Sequence, residues 1–275
     1  MSKPRKTVKR RNHAVPRGTP NSFVMYEGPS MLDGAPIVVI ATCIVRESTN
    51  EKTGPMIQTF ILRQDIHPLE AIARGADVSI CGNCPARGVY NPVTQKWEER
   101  ICYVDVAKSV VAVWEAYKRG NIPRVTPERA REILAGRVVR LGAYGDPSAA
   151  PFAVWANALA DVTKGTGYIH QWRNPAFADF KRYCMASCDT AQDFADATAA
   201  GWRCFRMRGE FDPLLENEIA CPASDEIIAT RPAGWVHPKC FACRACFGTS
   251  AKAKVNIAIV AHGKGKGAYE RAHAA

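Results

Sequence analysis

The sequence lacks any apolar run long enough to cross a bilayer. Its longest, residues 35–45, is interrupted by Thr42 and falls well short of the ~20 residues that a spanning helix needs. No apolar segment follows the N-terminal basic residues, so no secretory leader is expected. Internal repeats and low-complexity segments are absent away from the termini, which argues against a solenoid or fibrous chain. There is no Walker phosphate-binding pattern, and the Cys-x-x-x-Cys-x-x-Cys run common among radical enzymes is missing. Acidic residues are absent from positions 1–20. These absences predict a soluble, intracellular protein with no membrane partner.

The length and composition point to one sizeable folded unit. The 275 residues are 47% hydrophobic and 23% charged, as in an ordinary globular chain. The net charge of +11 is concentrated at the start, where Lys3, Arg5, Lys6, Lys9, Arg10, Arg11 and Arg17 leave only about +4 for the rest. Residues 1–20 therefore read as a disordered basic tail, and residues 21–275 as a single domain. Each basic group meeting a phosphate releases a counterion, so the tail predicts a nucleic-acid partner.

Eleven cysteines in a chain with no expected leader read as metal ligands and free thiols rather than disulfides. Cys240, Cys243 and Cys246 follow one another at spacings of three, and Cys221 upstream supplies a fourth thiolate. Four thiolates complete a tetrahedral shell for zinc and equally for a [4Fe-4S] cluster. Residues 221–246 are thus expected to form a metal knot. Cys81, Cys84 and Cys102 form a second group, able to hold a metal with a histidine or to leave one coordination position open. Cys43, Cys184, Cys188 and Cys204 fall in apolar strands and read as core.

Periodicity gives the fold class. Residues 36–45 and 56–63 read as a strand pair across a turn, and 100–104 as a short strand. Helices are expected at 106–118 and after Thr126-Pro127. From residue 137, strands at 137–143, 167–172, 184–188 and 202–207 alternate with helices at 151–162, 175–183 and 191–200, and a last strand spans 255–261. Such alternation predicts an α/β fold with a parallel sheet. About eight strands favour a TIM-like barrel, complete or incomplete, with the cysteine knot near its C-terminus. An open doubly wound sheet is the alternative.

In such folds reactive groups collect past the C-terminal ends of strands. That rule selects Asp146, His170, Trp172, Arg173, Asp189, Arg206 and Arg208. One carboxylate would attack or take a proton while the other anchors, His170 would assist, Trp172 would stack a ring and the arginines would hold a polar substrate. Asp146 and Asp189 also suit helix capping. The glycine- and lysine-rich segment 263–267 reads as a flexible basic contact for nucleic acid.

The stretch 137–262 carries a strand ending Gly145-Asp146, a Trp172-Arg-Asn-Pro175 segment, Ser187-Cys-Asp-Thr190, and Cys221-Pro-Ala-Ser224 followed by the triple-cysteine run. It resembles a group of phage and plasmid proteins, and through them the phage-encoded 7-deazaguanine DNA transglycosylases, distant relatives of tRNA-guanine transglycosylase. The resemblance implies a TIM barrel with zinc, working in the cytoplasm of a bacterial host. It implies an exchange of guanine in DNA, rather than RNA, for a 7-deazaguanine base. Asp189 would then be the nucleophile and Asp146 the base-reading or acid/base group, or the reverse. Cys221, Cys240, Cys243 and Cys246 would hold the metal. The spacing departs from the family's Cys-x-Cys-x-x-Cys with a distant histidine, and the family's Ser-Gly-Gly loop is missing. An iron–sulfur enzyme acting on nucleic acid or nucleotides and a non-enzymatic, metal-stapled DNA-binding protein are the other readings.

Overall fold

The computed structural model describes residues 15–250, 253 and 255–272. Most of the predicted basic tail, residues 1–14, lies outside the described residues. The chain folds as a mixed α/β protein. Its strands are β1 (Ser22–Pro29), β2 (Pro36–Thr42), β3 (Ile57–Arg63), β4 (Val89–Asn91), β5 (Lys96–Glu98), β6 (Val138–Tyr144), β7 (Lys164–Thr166), β8 (Tyr168–Ile169), β9 (Met185–Cys188), β10 (Cys204–Arg208), β11 (Glu218–Ala220) and β12 (Asn256–Val260). The helices used below are α1 (Pro68–Ala73), α2 (Val78–Cys81), α3 (Val111–Lys118), α4 (Pro127–Leu134), α5 (Phe152–Ala158), α6 (Ala191–Ala199), α7 (Asp225–Ala229), α8 (Cys240–Cys243) and α9 (Lys266–Ala272).

Two five-stranded sheets result, ordered β1-β2-β3-β6-β7 and β11-β12-β10-β9-β8. β2 is apolar on both faces because it is central, antiparallel to both β1 and β3, and residues 37–41 are wholly shielded from water. From β3 onward every pairing in the two sheets is parallel. Gly167 alone separates β7 from β8 and carries the chain from one sheet to the other. Its N–H donates to the Cys246 carbonyl and its own carbonyl accepts from Met185. A Cβ there would stand 2.8 Å from the Tyr183 carbonyl oxygen, so only glycine fits the crossing.

No strand pairing among the described residues closes the sheets into a ring. β11, at one edge, is three residues long. Beside it the turn before β3 is tied to the cysteine segment, with Cys240 N–H on the Lys52 carbonyl and Phe241 N–H on that of Thr53.

Several expectations need correction. Residues 100–104 form no strand: the pairing belongs to the β4–β5 hairpin just before them. The helix expected at 106–118 opens with a π-type turn kinked at Lys108 before α3 begins. The one expected at 175–183 is a 3-10 helix capped by Asn174. Cys43 is not core but sits half-buried beyond the end of β2, at φ 63°. Cys184, Cys188 and Cys204 are buried as expected. No helix among the described residues is long and apolar enough to cross a membrane.

Candidate functional site

Strand alternation turns one set of side chains toward a shared cavity of about 300 Å³. Arg140, Gly142 and Tyr144 line it from β6, Thr166, Tyr168 and His170 from β7–β8 and beyond, and Ser187 and Asp189 from β9 and its end. Phe205 and Met207 come from β10, Ile257 and Ile259 from β12. Tyr168 and Phe205 pack with ring centroids 4.3 Å apart. The volume is at the small end of ligand pockets, suited to a single ring system rather than a duplex.

Asp146, His170 and Asp189 meet on this wall. Asp146 is buried; its Oδ1 accepts from the Ser148 N–H (2.9 Å) and hydroxyl (2.7 Å), and its Oδ2 from the His170 backbone N–H (2.7 Å). It does cap the turn at 147–149, and it also pins β8 to β6. Burial raises its pKa, against the opposing charge of His170 and these hydrogen bonds.

Asp189 differs. The cap of α6 belongs to Thr190, whose hydroxyl accepts from the Asp193 N–H, while the Asp193 carboxylate takes the Asp189 and Thr190 N–H groups. The Asp189 side chain is thus released from capping and stands with Oδ2 3.5 Å from His170 Nε2. Burial pushes the His170 pKa down, but the neighbouring Cys84 sulfur and the Asp189 carboxylate outweigh it, and the net direction is well upward.

The four predicted substrate-binding side chains are not on the cavity wall. Since Phe205 and Met207 face inward, Arg206 and Arg208 on the same strand face the opposite side. Arg206 makes a two-pronged bond to Glu218 (2.9 and 2.7 Å), and Arg208 pairs with Glu226 and the Asp212 carbonyl. Trp172 is buried with its indole N–H on the Ser187 carbonyl, and Arg173 lies over that ring while pairing with Asp193 and Asp196. These are fold contacts.

The Arg206–Glu218 pair gives a direct check, since both side chains are at most 5% exposed. Arg206→Met should cost about 3–5 kcal/mol in urea unfolding by leaving a buried carboxylate unpaired. Arg206→Met/Glu218→Leu together should recover most of that loss. A single variant with unchanged stability and impaired turnover would restore Arg206 to the site.

Sequence reasoning passed over Tyr144 and Tyr168, each two residues before a residue it chose, so the strand alternation itself was the missed signal. The hydroxyl of Tyr144 is buried with no hydrogen-bond partner among the described residues.

Both cysteine groups open onto this same cavity, Cys81, Cys84 and Cys102 on one part of its wall and Cys221, Cys240, Cys243 and Cys246 on another. Within each group the thiols are near enough to feel one another's charge. No three His, Cys, Asp or Glu side chains among the described residues already converge as a metal shell, so the expected knot is not drawn closed.

The donor chemistry still fits a thiolate-bound metal. Burial raises Cys221 and Cys240 and lifts Cys246 to about 12, so unliganded they hold their protons. Lys52 and Arg140 lie within reach of Cys240, and Arg203 within reach of Cys246, cations suited to a dianionic four-thiolate centre. The segment 263–267 is not an open basic loop: a 3-10 turn leads into α9, and Lys266 pairs with Glu210 and Glu270.

Compared with protein-family models, curated proteins and solved structures, the chain matches none.

Proposed function

We propose that the protein is a nucleic-acid base-exchange enzyme, replacing guanine in DNA by a 7-deazaguanine with Asp189 as nucleophile. The observation that carries the reading is the Asp189 carboxylate, relieved of helix capping by Thr190 and Asp193 and presented to a cavity sized for one base. A duplex base enters such a site only when flipped out of its stack. The barrel-like reading of the two sheets belongs with this proposal, since strand-end residues then share one mouth.

In the first half-reaction an Asp189 oxygen bonds to the deoxyribose C1′. The C1′–N9 bond breaks with its electron pair leaving on the base, and Asp146 gives that base a proton. In the second, the incoming base loses its N9 proton to Asp146, bonds to C1′ and displaces the Asp189 carboxylate. His170 spaces the two carboxyl groups, with its N–H on Asp146 and its ring beside Asp189. Cys221, Cys240, Cys243 and Cys246 would hold zinc, which would supply a structural cross-link.

The test is incorporation of radiolabelled guanine, and of 7-deazaguanine bases, into duplex and single-stranded DNA by the full-length protein. Time-dependent labelling that persists through denaturation is expected. No incorporation of any of these bases into either DNA form sinks the proposal.

A second reading, an iron–sulfur enzyme, is favoured by one observation: seven cysteines of two groups line one cavity. Protein purified without oxygen decides it, because a cluster brings iron, sulfide and a visible thiolate-to-iron band, and zinc brings none of these.

A further inference from the structure

We propose that Cys81, Cys84, Cys102 and His170 form a metal site of their own, a zinc-type centre of three thiolates and one imidazole. It is separate from the set at Cys221–Cys246 and does not rest on the base-exchange reading.

The chain builds this place from three distant segments. Cys81 ends α2, and the next residue, Gly82 at φ 58°, turns the chain so that the Cys84 N–H donates to the Cys81 carbonyl at 3.2 Å. A Cys-x-x-Cys turn of this kind presents two thiols to one side. Cys102 returns to it across the β4–β5 hairpin, with its N–H on the Ala86 carbonyl at 3.0 Å.

The return is fixed by a buried carboxylate. Asp77 takes Arg87 through Nε and a terminal nitrogen (3.1 and 2.7 Å) and Arg100 at 3.1 Å, while Arg87 also bonds the Gly82 and Gly75 carbonyls. The knuckle and the segment carrying Cys102 are thereby held to one anchor.

His170 arrives from the end of β8, its backbone fixed by Asp146. Its Nε2 lies 3.5 Å from Cys84 Sγ. Zinc–sulfur and zinc–nitrogen bonds of ~2.3 and ~2.0 Å at a tetrahedral angle separate neighbouring ligands by roughly 3.5 Å. The pair already stands at ligand spacing, and metal binding has to draw in Cys81 and Cys102, which do not yet complete the shell.

A second sign of a missing ligand is the Tyr144 hydroxyl, buried in the same wall within the fields of Cys81 and Cys102 and without a hydrogen-bond partner among the described residues. Asp189 flanks the same ring nitrogen, so a metal here would sit beside the carboxylate that lines the cavity.

The experiment is zinc content and zinc X-ray absorption on the full-length protein. Wild type should hold one more zinc per chain than Cys84→Ser or His170→Ala, and Cys243→Ser should not remove that extra zinc. The wild-type absorption spectrum should contain an imidazole nitrogen shell beside the sulfur shell. If a variant fails to fold, the wild-type spectrum alone decides, because sulfur as the only donor overturns the site. Equal zinc in wild type and both folded variants overturns it as well.

Discussion

Replacing Asp189 by alanine should reduce the proposed base exchange by on the order of 10⁴-fold or more, the scale on which removal of a covalent nucleophile or its partner is felt. The fold should not notice. The Asp189 backbone N–H is satisfied by Asp193, the helix cap is made by Thr190, and the Asp189 carboxylate meets the His170 ring rather than any backbone N–H among the described residues. Asp189→Asn preserves shape and replaces the anionic carboxylate by a weakly nucleophilic amide, so it should be equally inactive with an unchanged melting temperature. Asp146 makes the contrast. Its three accepted bonds tie Ser148 and His170 into the wall, and Asp146→Ala leaves buried N–H groups unpaired at a cost of about 1–3 kcal/mol each. Activity lost at both positions, with stability lost only at 146, is the expected pattern. Exchange that survives Asp189→Ala removes Asp189 from the chemistry.

That contrast was partly legible in the sequence. Asp146 and Asp189 both read as strand-end residues and as helix caps, and nothing local separates the two. The separation lies one residue on, where Thr190 and Asp193 form a capping box that makes Asp189 unnecessary as a cap. The arginines failed for a different reason. Choosing strand-end residues by position ignores the period of two, which sends Phe205 and Met207 inward and Arg206 and Arg208 outward. The apolar strand β2 announced itself because burial on both faces demands a continuous apolar sequence. β11 did not, since three residues with a buried Glu218 pointing at Arg206 carry no strand signature. Nor could spacing alone show that His170 and the Cys81–Cys102 group share a wall, because the two are joined in the fold through Asp146, whose N–H donates to the Ile80 carbonyl and whose carboxylate accepts from the His170 backbone N–H.

Arg203→Met should be among the most destabilising single changes in the chain and should loosen the triple-cysteine run. The guanidinium is buried, and its donors converge on three carbonyls: Gly248 at 2.8 Å, Ala245 at 2.9 Å, and Val255 at 3.0 and 2.6 Å. Those carbonyls flank Cys246 and the entry to β12, so one side chain sets the path of the loop that carries a thiol into the cavity. Methionine matches the stem but donates nothing, and three acceptors lose their partners at about 1–3 kcal/mol apiece where water cannot replace them. A total near 3–5 kcal/mol lowers the melting temperature of a chain this size by roughly 10 °C. Arg203→Lys should not rescue it, because an ammonium on a flexible stem cannot span three carbonyls as a rigid fork does. The second readout is local: Cys246, half-buried in the wild type, should react faster with a thiol reagent, and any metal held by the Cys221–Cys246 set should dissociate more readily. A variant with the wild-type melting temperature and wild-type thiol reactivity would mean that the loop holds its own shape. The buried cation would then serve the charge of the thiolates rather than the path of the chain.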